Sequence, residues 1–208
     1  QVKIISEGKK LEVDKKEKLE VQNYFKSLDL VDEIANRKTA FSSKDVLRVH
    51  KTTMSGLVDS NKVGVFRSVP VYIVNVHLRG WEEVVYTPPE AKKVSYLLDD
   101  LLNWLEKSGD THPIIRAALF HYQFETIHPF TDGNGRTGRL LTLLHLYQSG
   151  IDLRRCLVLE DYFNKNRKDY YLNLQTGKNY KFRENADLTD WLEYFVDGFL
   201  SEALKVKD

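Results

Sequence analysis

A histidine, a carboxylate, two arginines and several glycines are crowded into one run, His128-Pro129-Phe130-Thr131-Asp132-Gly133-Asn134-Gly135-Arg136-Thr137-Gly138-Arg139. Each residue supplies part of one chemistry. The imidazole of His128 has an ordinary pKa near neutrality and suits a general base that takes the proton of an attacking hydroxyl. Asp132 suits Mg2+, which is typically held by one or two carboxylates together with phosphate oxygens. It equally suits a turn, because an aspartate side chain accepts from backbone N–H groups nearby. Gly133 and Gly135 allow backbone conformations that wrap successive N–H groups around an anion. Leu140-Leu141-Thr142-Leu143-Leu144 reads as a helix, so the loop lies at a helix N-terminus, where unpaired N–H groups and partial positive charge favour phosphate. Arg136 and Arg139 add forked donors for phosphate oxygens, and the Asn134 side chain can add another. A base, a metal ligand and a phosphate cradle together read as transfer of a phosphorus-centred group.

A second arrangement overlaps the first. His121, Glu125 and His128 stand at i, i+4 and i+7 and share one helical face, a plausible zinc geometry. The HExxH spacing is missing and no cysteine assists, so His121 reads better as a hydrogen-bonded core residue. Phe130 reads as a buried anchor of the loop.

The elements that must position this run follow from periodicity. Apolar residues Leu19, Val21, Tyr24, Phe25, Leu28, Val31 and Ile34 recur at helical spacing over 18–34. Ser42 or Ser43 can cap a second helix that ends near Gly56. Val69, Val71, Ile73, Val74, Val84, Val85 and Tyr86, with Arg79-Gly80 between them, predict a β-hairpin over 69–87. Pro88-Pro89 opens a helix with a stripe from Val94 to Leu105. Pro113 opens another, apolar on most sides and therefore central, which runs straight into the run at His128. Helices then follow over about 135–148, 160–174 and 188–204, and the polar segment 177–185 reads as a loop. This is an all-α bundle with one short hairpin.

The run HPFTDGNGRTGR resembles the signature HxFx(D/E)GNGRxxR of the Fic family, and every specified position matches. The flanking stretches Ala117–Ile127 and Tyr162–Tyr171 are also similar to family members. The resemblance implies a Fic-type helical bundle with a β-hairpin flap, and two regions: an N-terminal helical segment over 1–40 and a catalytic core over 41–208. It implies a protein adenylyltransferase that uses ATP and Mg2+ to place AMP on a Ser, Thr or Tyr hydroxyl and releases pyrophosphate. His128 would be the base and Asp132 the metal ligand. Gly133, Asn134, Gly135, Arg136, Gly138 and Arg139 would hold the phosphates, and Tyr170 and Tyr171 would lie near the nucleotide. Gly135 stands where the phosphate-transferring Doc branch has a lysine, which favours AMP. A target protein would dock on the 69–87 hairpin; self-modification and a homodimer are compatible with the family.

The same resemblance points to Glu7-Gly8 as the end of the inhibitory pattern (S/T)xxxE(G/N), with Lys3 where relatives have Ser or Thr. Glu7 would pair with Arg139 and exclude the γ-phosphate. Readings of other classes are a de-AMPylating or phosphate-transferring enzyme and a non-catalytic nucleotide-binding domain. Composition narrows the setting. A chain of 208 residues can bury a sizeable core. A net charge of +1 gives no reason to expect nucleic acid. No run is apolar enough to span a bilayer, and one cysteine, Cys156, cannot form an internal disulfide. Cys156, amid Leu157, Val158 and Leu159, reads as buried, and the expected location is cytoplasmic. The chain opens on Gln1, which suggests that a longer polypeptide precedes it.

Overall fold

The computed structural model describes residues 15–37, 39–77, 80–151, 162–163 and 165–207. Glu7 and Cys156 lie outside them. Among the described residues the chain forms α1 (Lys15–Ala35), α2 (Ser43–Met54), α3 (Val94–Lys107), α4 (Pro113–Ile127), α5 (Asn134–Gln148), α6 (Arg167–Leu174), α7 (Tyr180–Arg183) and α8 (Thr189–Lys207). Two strands, β1 (Ile73–Val76) and β2 (Glu82–Tyr86), pair antiparallel as the expected hairpin. No helix among the described residues is long and apolar enough to cross a membrane.

Helices α4 and α5 are central because each is apolar on more than one face. Phe120, Phe124 and Ile127 of α4 and Leu140, Leu141 and Leu144 of α5 enter one core with Val31 and Ile34 of α1, Val46 and Val49 of α2, and Val94 and Leu98 of α3. Ala117, Ala118 and Tyr122, with Leu143 and Leu146, enter a second core with Phe163, Tyr170, Trp191 and Phe195. The buried Trp191 indole keeps its N–H satisfied by donating to the Ala118 carbonyl at 2.9 Å. The two helices approach closely at Gly138, where an added Cβ would lie 2.7 Å from Glu125 Oε1 and 3.0 Å from Phe124 Cδ1.

Local signals set most helix ends. Ser42 and Asp45 form a reciprocal capping box at the start of α2. Pro113 occupies the first turn of α4, as expected, and the His112 ring accepts from the Ile114 N–H. Two expectations need correction. The helix expected to open at Pro88-Pro89 starts at Val94, after a 3-10 turn over Ala91–Lys93. The Pro89 carbonyl is instead engaged by the Arg67 guanidinium at 2.6 Å. The segment 177–185 is not wholly loop: Asn179 caps α7 by accepting from the Phe182 N–H.

The root of the hairpin is held rigidly and its tip is exposed. Tyr86 is buried and its hydroxyl donates to the Thr126 carbonyl at 2.7 Å. Thr87 exchanges backbone hydrogen bonds with Lys178 and Tyr180. A bulge between Ile73 and Val74 breaks the register at the same end. Beyond it, Val76 and Val84 face solvent, and β1 has no strand on its outer side among the described residues.

The connection between α4 and α5 is short and tightly specified. Gly133 has φ +80°, and a Cβ there would fall 2.4 Å from Met54 Sδ and 2.7 Å from Met54 Cγ. Both the left-handed backbone and the close approach therefore require glycine. Gly133→Ala should lower stability by about 2–4 kcal/mol, read as a fall in the urea midpoint at constant slope. An unchanged midpoint would show that this turn is not under constraint.

Candidate active site

Helix α4 stops at His128 because the next residue is proline, which disfavours the right-handed helical conformation in the residue before it. His128 adopts φ 51° and ψ 63°, the left-handed cap that glycine usually occupies. Its N–H still donates to the Phe124 carbonyl at 2.9 Å. The ring Nδ1 lies 3.3 Å from the Glu125 carbonyl oxygen, which can only accept. Nδ1 therefore carries the proton, and Nε2 keeps its lone pair. Burial pulls the imidazole pKa down to about 4. The nearby Arg67 and Arg183 act in the same direction, while the Glu125 carbonyl and Asp132 oppose it. At neutral pH His128 is an uncharged ring with a free base on Nε2.

The backbone that places it depends on Arg67, a residue buried to 4% exposure. Its Nε donates to the His128 carbonyl at 2.8 Å, and its two terminal nitrogens reach the carbonyls of Pro89, Ile127 and Val69. Its backbone N–H donates to Pro129. His50 braces the other end of the loop. It accepts from the Gly64 N–H on Nδ1, which leaves the Nε2 proton to donate to the Asp132 carbonyl at 3.0 Å. Its ring stacks on the buried Phe130 at 3.6 Å. Neither residue stands out in the sequence; the one available signal was an arginine set in the apolar stretch Val65–Val69.

A cleft of about 390 Å3 opens beside His128. Of the sequence-predicted residues, Gly135, Arg139, Tyr170 and Tyr171 line it together with His128. Strand β1 forms one wall through Ile73, Val74 and Asn75. The first three N–H groups of α5, on Asn134, Gly135 and Arg136, have no intrahelical acceptor, as at every helix start. An added Cβ at Gly135 would sit 3.0 Å from an Arg139 nitrogen, so the missing side chain leaves room for that guanidinium.

The other predicted residues stand behind or beside the cleft. The Asn134 side chain is buried and spans the loop: its oxygen accepts from the Phe130 N–H at 2.8 Å and its NH2 donates to the Phe130 carbonyl at 2.9 Å. The side chain that the sequence offered as a phosphate donor thus ties the loop together instead. Gly138 lies between the two central helices. Arg136 is turned toward Glu20 of α1, 3.0 Å away, with Asp132 at 3.8 Å. Asp132 is exposed, and one carboxylate oxygen accepts from the Gly133 N–H at 2.6 Å.

The donor set limits which metal this site could take. Among the described residues no group of three or more His, Cys, Asp or Glu side chains could hold an ion. The zinc arrangement fails because both His121 nitrogens are engaged, Nδ1 with Thr142 at 3.0 Å and Nε2 with Tyr170 at 2.9 Å. A single exposed carboxylate at Asp132, next to a helix N-terminus, fits an ion such as Mg2+ that shares phosphate oxygens.

Three charged residues in the cleft, Arg167, Arg183 and Glu125, were not foreseen as part of it. Arg183, from α7, lines it and lies 3.6 Å above the Tyr86 ring, with hydrogen bonds to Thr126 and Gly177. Glu125 also lines it, and its buried Oε1 has no hydrogen-bond partner. Burial raises the Glu125 carboxyl to about 7, against the pull of Arg139 and Arg183.

Comparison with known proteins agrees with this architecture. The Fic/DOC family model matches residues 40–146, half of the chain, and the chain belongs to that family. It is 36% identical over 116 residues to the protein adenylyltransferase Fic of Drosophila grimshawi, covering 55% of this chain and 22% of that relative. It is 37% identical over 111 residues to the protein adenylyltransferase fic-1 of Caenorhabditis elegans, covering 52% and 20%. The chain thus spans about a fifth of the length of the curated relatives it matches. A Fic family protein from Desulfovibrio desulfuricans G20 superposes with a TM-score of 0.79 at 32% identity, over 99% of this chain and 57% of that one. Residues 134–508 of Caenorhabditis elegans Fic-1 share the fold with a TM-score of 0.76 at 24% identity, over 100% and 56%.

The buried histidines couple this core to pH. Burial lowers His121 to about 3 and His128 and His145 to about 4, so the native state refuses protons that the unfolded chain takes up below about 6.5. Their stabilising contribution is full above that pH and is lost as pH falls toward 4. Glu125 acts oppositely between its ordinary value and about 7, but it is one group against four, since burial lowers His50 as well. The urea midpoint should therefore fall steadily from pH 6.5 to 4.5. A flat or rising midpoint would contradict neutral, buried imidazoles.

Proposed function

We propose that the chain is the catalytic core of a protein adenylyltransferase, which moves AMP from ATP to a Ser, Thr or Tyr hydroxyl of a target protein. The observation that carries this reading is His128, neutral with its lone pair on Nε2, in one cleft with Arg139 and the first turn of α5. The curated relatives, named protein adenylyltransferases, support it. The hydroxyl oxygen attacks the α-phosphorus of ATP, the bond to the β-phosphate breaks, and pyrophosphate leaves. His128 Nε2 takes the hydroxyl proton. The N–H groups of Asn134, Gly135 and Arg136 and the Arg139 guanidinium receive phosphate oxygens at the helix start. Arg136 joins them when its guanidinium leaves Glu20. Asp132 would hold Mg2+, which supplies neutralisation of phosphate charge. Tyr171, exposed at the cleft edge beside Arg167, offers a ring and a cation to the nucleotide.

The target reaches the cleft along β1, which has no strand on its outer side among the described residues and lines the cleft with His128. Glu7, in the 1–40 segment ahead of the 41–208 core, restrains the reaction by competing with the γ-phosphate for Arg139. The Gly135 position favours AMP over phosphate transfer, as the family resemblance implies. Removal of AMP by the same site is the second reading, because the same base and cradle would serve an attacking water.

The test incubates the protein with Mg2+ and ATP labelled on the α- or the γ-phosphate. Label should reach protein from α-labelled ATP only and disappear in His128→Ala. Glu7→Gly should raise it about tenfold or more, as loss of a charge-assisted ion pair predicts. Label from the γ-phosphate would establish a kinase instead. Nucleotide binding without label in every variant, with a cell lysate supplied as target, would establish a binding domain.

A further inference from the structure

We infer that Glu125 is a positioning residue that acts through His128: its carboxylate lies beside Nδ1 and balances the charge that forms when Nε2 takes the target's proton. The inference rests on the reading of His128 as the base in AMP transfer. Glu125 occupies the last turn of α4, three residues before His128. Two of its oxygens neighbour the same ring nitrogen. The backbone carbonyl lies 3.3 Å from His128 Nδ1, and the carboxylate Oε2 lies 3.9 Å from it. Neither is a short hydrogen bond, so the Nδ1 proton has room to strengthen its contact with an anion as the ring becomes charged. The other carboxylate oxygen, Oε1, is buried without a hydrogen-bond partner. It fits because residue 138 is glycine: a Cβ there would fall 2.7 Å from it. A buried acceptor with no partner costs stability, and groups of this kind concentrate where function rather than packing fixes them.

The charges around the ring create the need for a carboxylate. Glu125 is the one acid among the described residues that line the cleft, against Arg139 of α5, Arg167 at the start of α6 and Arg183 of α7. Arg67, which donates to the His128 carbonyl at 2.8 Å, adds a fourth cation behind the loop. Tyr86 and Tyr170 share the cleft wall, and burial keeps both phenols protonated. His121, one turn back on α4, is neutral and has both nitrogens engaged. Cations that keep His128 uncharged before the reaction would equally oppose the imidazolium that the reaction forms. An anion near Nδ1 removes part of that penalty without touching Nε2 or the target. In the step itself the hydroxyl O–H bond breaks and the Nε2–H bond forms. The resulting positive charge spreads over the ring to Nδ1, where the Glu125 carboxylate meets it, and the proton passes to solvent after the product leaves.

The pairing requires an ionised carboxyl, which gives it a pH signature. Burial holds Glu125 near 7 against the pull of Arg139 and Arg183, while His128 stays neutral down to about 4. Over the range from about pH 6 to 8 the ring therefore keeps one charge state, and Glu125 alone of the two titrates. Glu125 loses its proton as pH rises through 7, so AMP transfer should rise there. His128 cannot itself produce a rise in that range.

Two measurements test the pairing, the first of them independently of the function. It follows the 15N resonances of the His128 ring in the nucleotide-free protein across pH. Ionisation of Glu125 should shift Nδ1 in a step centred near pH 7, and Glu125→Gln should abolish that step while leaving Nδ1 protonated. A wild-type ring with no step, or a step that survives in Glu125→Gln, would overturn the inference. The second compares AMP transfer from α-labelled ATP to lysate protein by the wild type, Glu125→Gln and Glu125→Asp. Glu125→Gln should lower the apparent kcat about ten- to hundredfold, less than removal of a directly hydrogen-bonded triad carboxylate, and leave KM for ATP within about twofold. Its rate should be flat from about pH 6 to 8, where the wild-type rate rises, and Glu125→Asp should restore the rise with part of the rate. A kcat within about twofold of the wild type, or a lower one with the wild-type pH profile, would show a merely structural carboxyl and contradict the inference. If the wild type transfers no AMP, the adenylyltransferase reading fails, and the ring spectrum alone decides whether Glu125 and His128 are paired.

Discussion

The site depends on one buried guanidinium that meets the end of one helix. Helix α4 terminates inside the protein, where its last carbonyls have neither a following turn nor bulk water to donate to them. Arg67 supplies the donors, reaching Ile127 and His128 with side-chain nitrogens and Pro129 with its own N–H. A buried acceptor left unmatched typically costs about 1–3 kcal/mol, so without Arg67 the left-handed cap at His128 would lose its support. Its positive charge also sits at the negative end of the helix dipole. The Asn134 side chain does the corresponding work one turn later, satisfying both backbone groups of Phe130. The side chains of this loop therefore owe their directions to hydrogen bonds made behind the cleft.

Electrostatics then divides the labour among the remaining charges. Arg67 and Arg183 flank His128 and, with burial, keep it uncharged, which preserves Nε2 as a base. Arg139 faces the cleft from the first turns of α5, where the helix N-terminus reinforces an anion site. Arg136 points outward to Glu20, so α1 bears directly on the 128–139 loop even though it lines no part of the cleft. The hairpin is tied to the same framework, because Tyr86 bonds to Thr126 and lies beneath Arg183. A target strand laid on β1 would thus rest on an element fixed relative to His128.

Much of this was legible in the sequence. The type and place of the major helices followed from 3.6-residue periodicity and from caps such as Ser42 and Pro113, and β-branched residues marked the hairpin. The dense run 128–139 carried its own chemistry, since its residues act within one loop. What escaped notice acts at long range. Arg67 and His50 reach the loop from 61 and 82 residues away and Arg183 enters the cleft from α7, and a lone arginine or histidine has no local pattern that announces its partner. The start of α3 was misplaced because Pro88-Pro89 satisfies the rule for a first helical turn, while tertiary contact with Arg67 holds that segment extended. The short α7 was hidden by its polar composition. Tyr170 was noticed for its position, but whether a tyrosine meets a ligand or another side chain is settled by packing.

The most direct test of the account is a crystal structure with Mg2+ and an ATP analogue whose bridging oxygen between the α- and β-phosphates is replaced by methylene. The account predicts phosphates on the N–H groups of Asn134, Gly135 and Arg136, Arg139 on a distal phosphate, and the α-phosphorus on the His128 side of the cleft beside β1. A nucleotide bound elsewhere, or one with its γ-phosphorus next to His128 and its α-phosphorus remote, would contradict it.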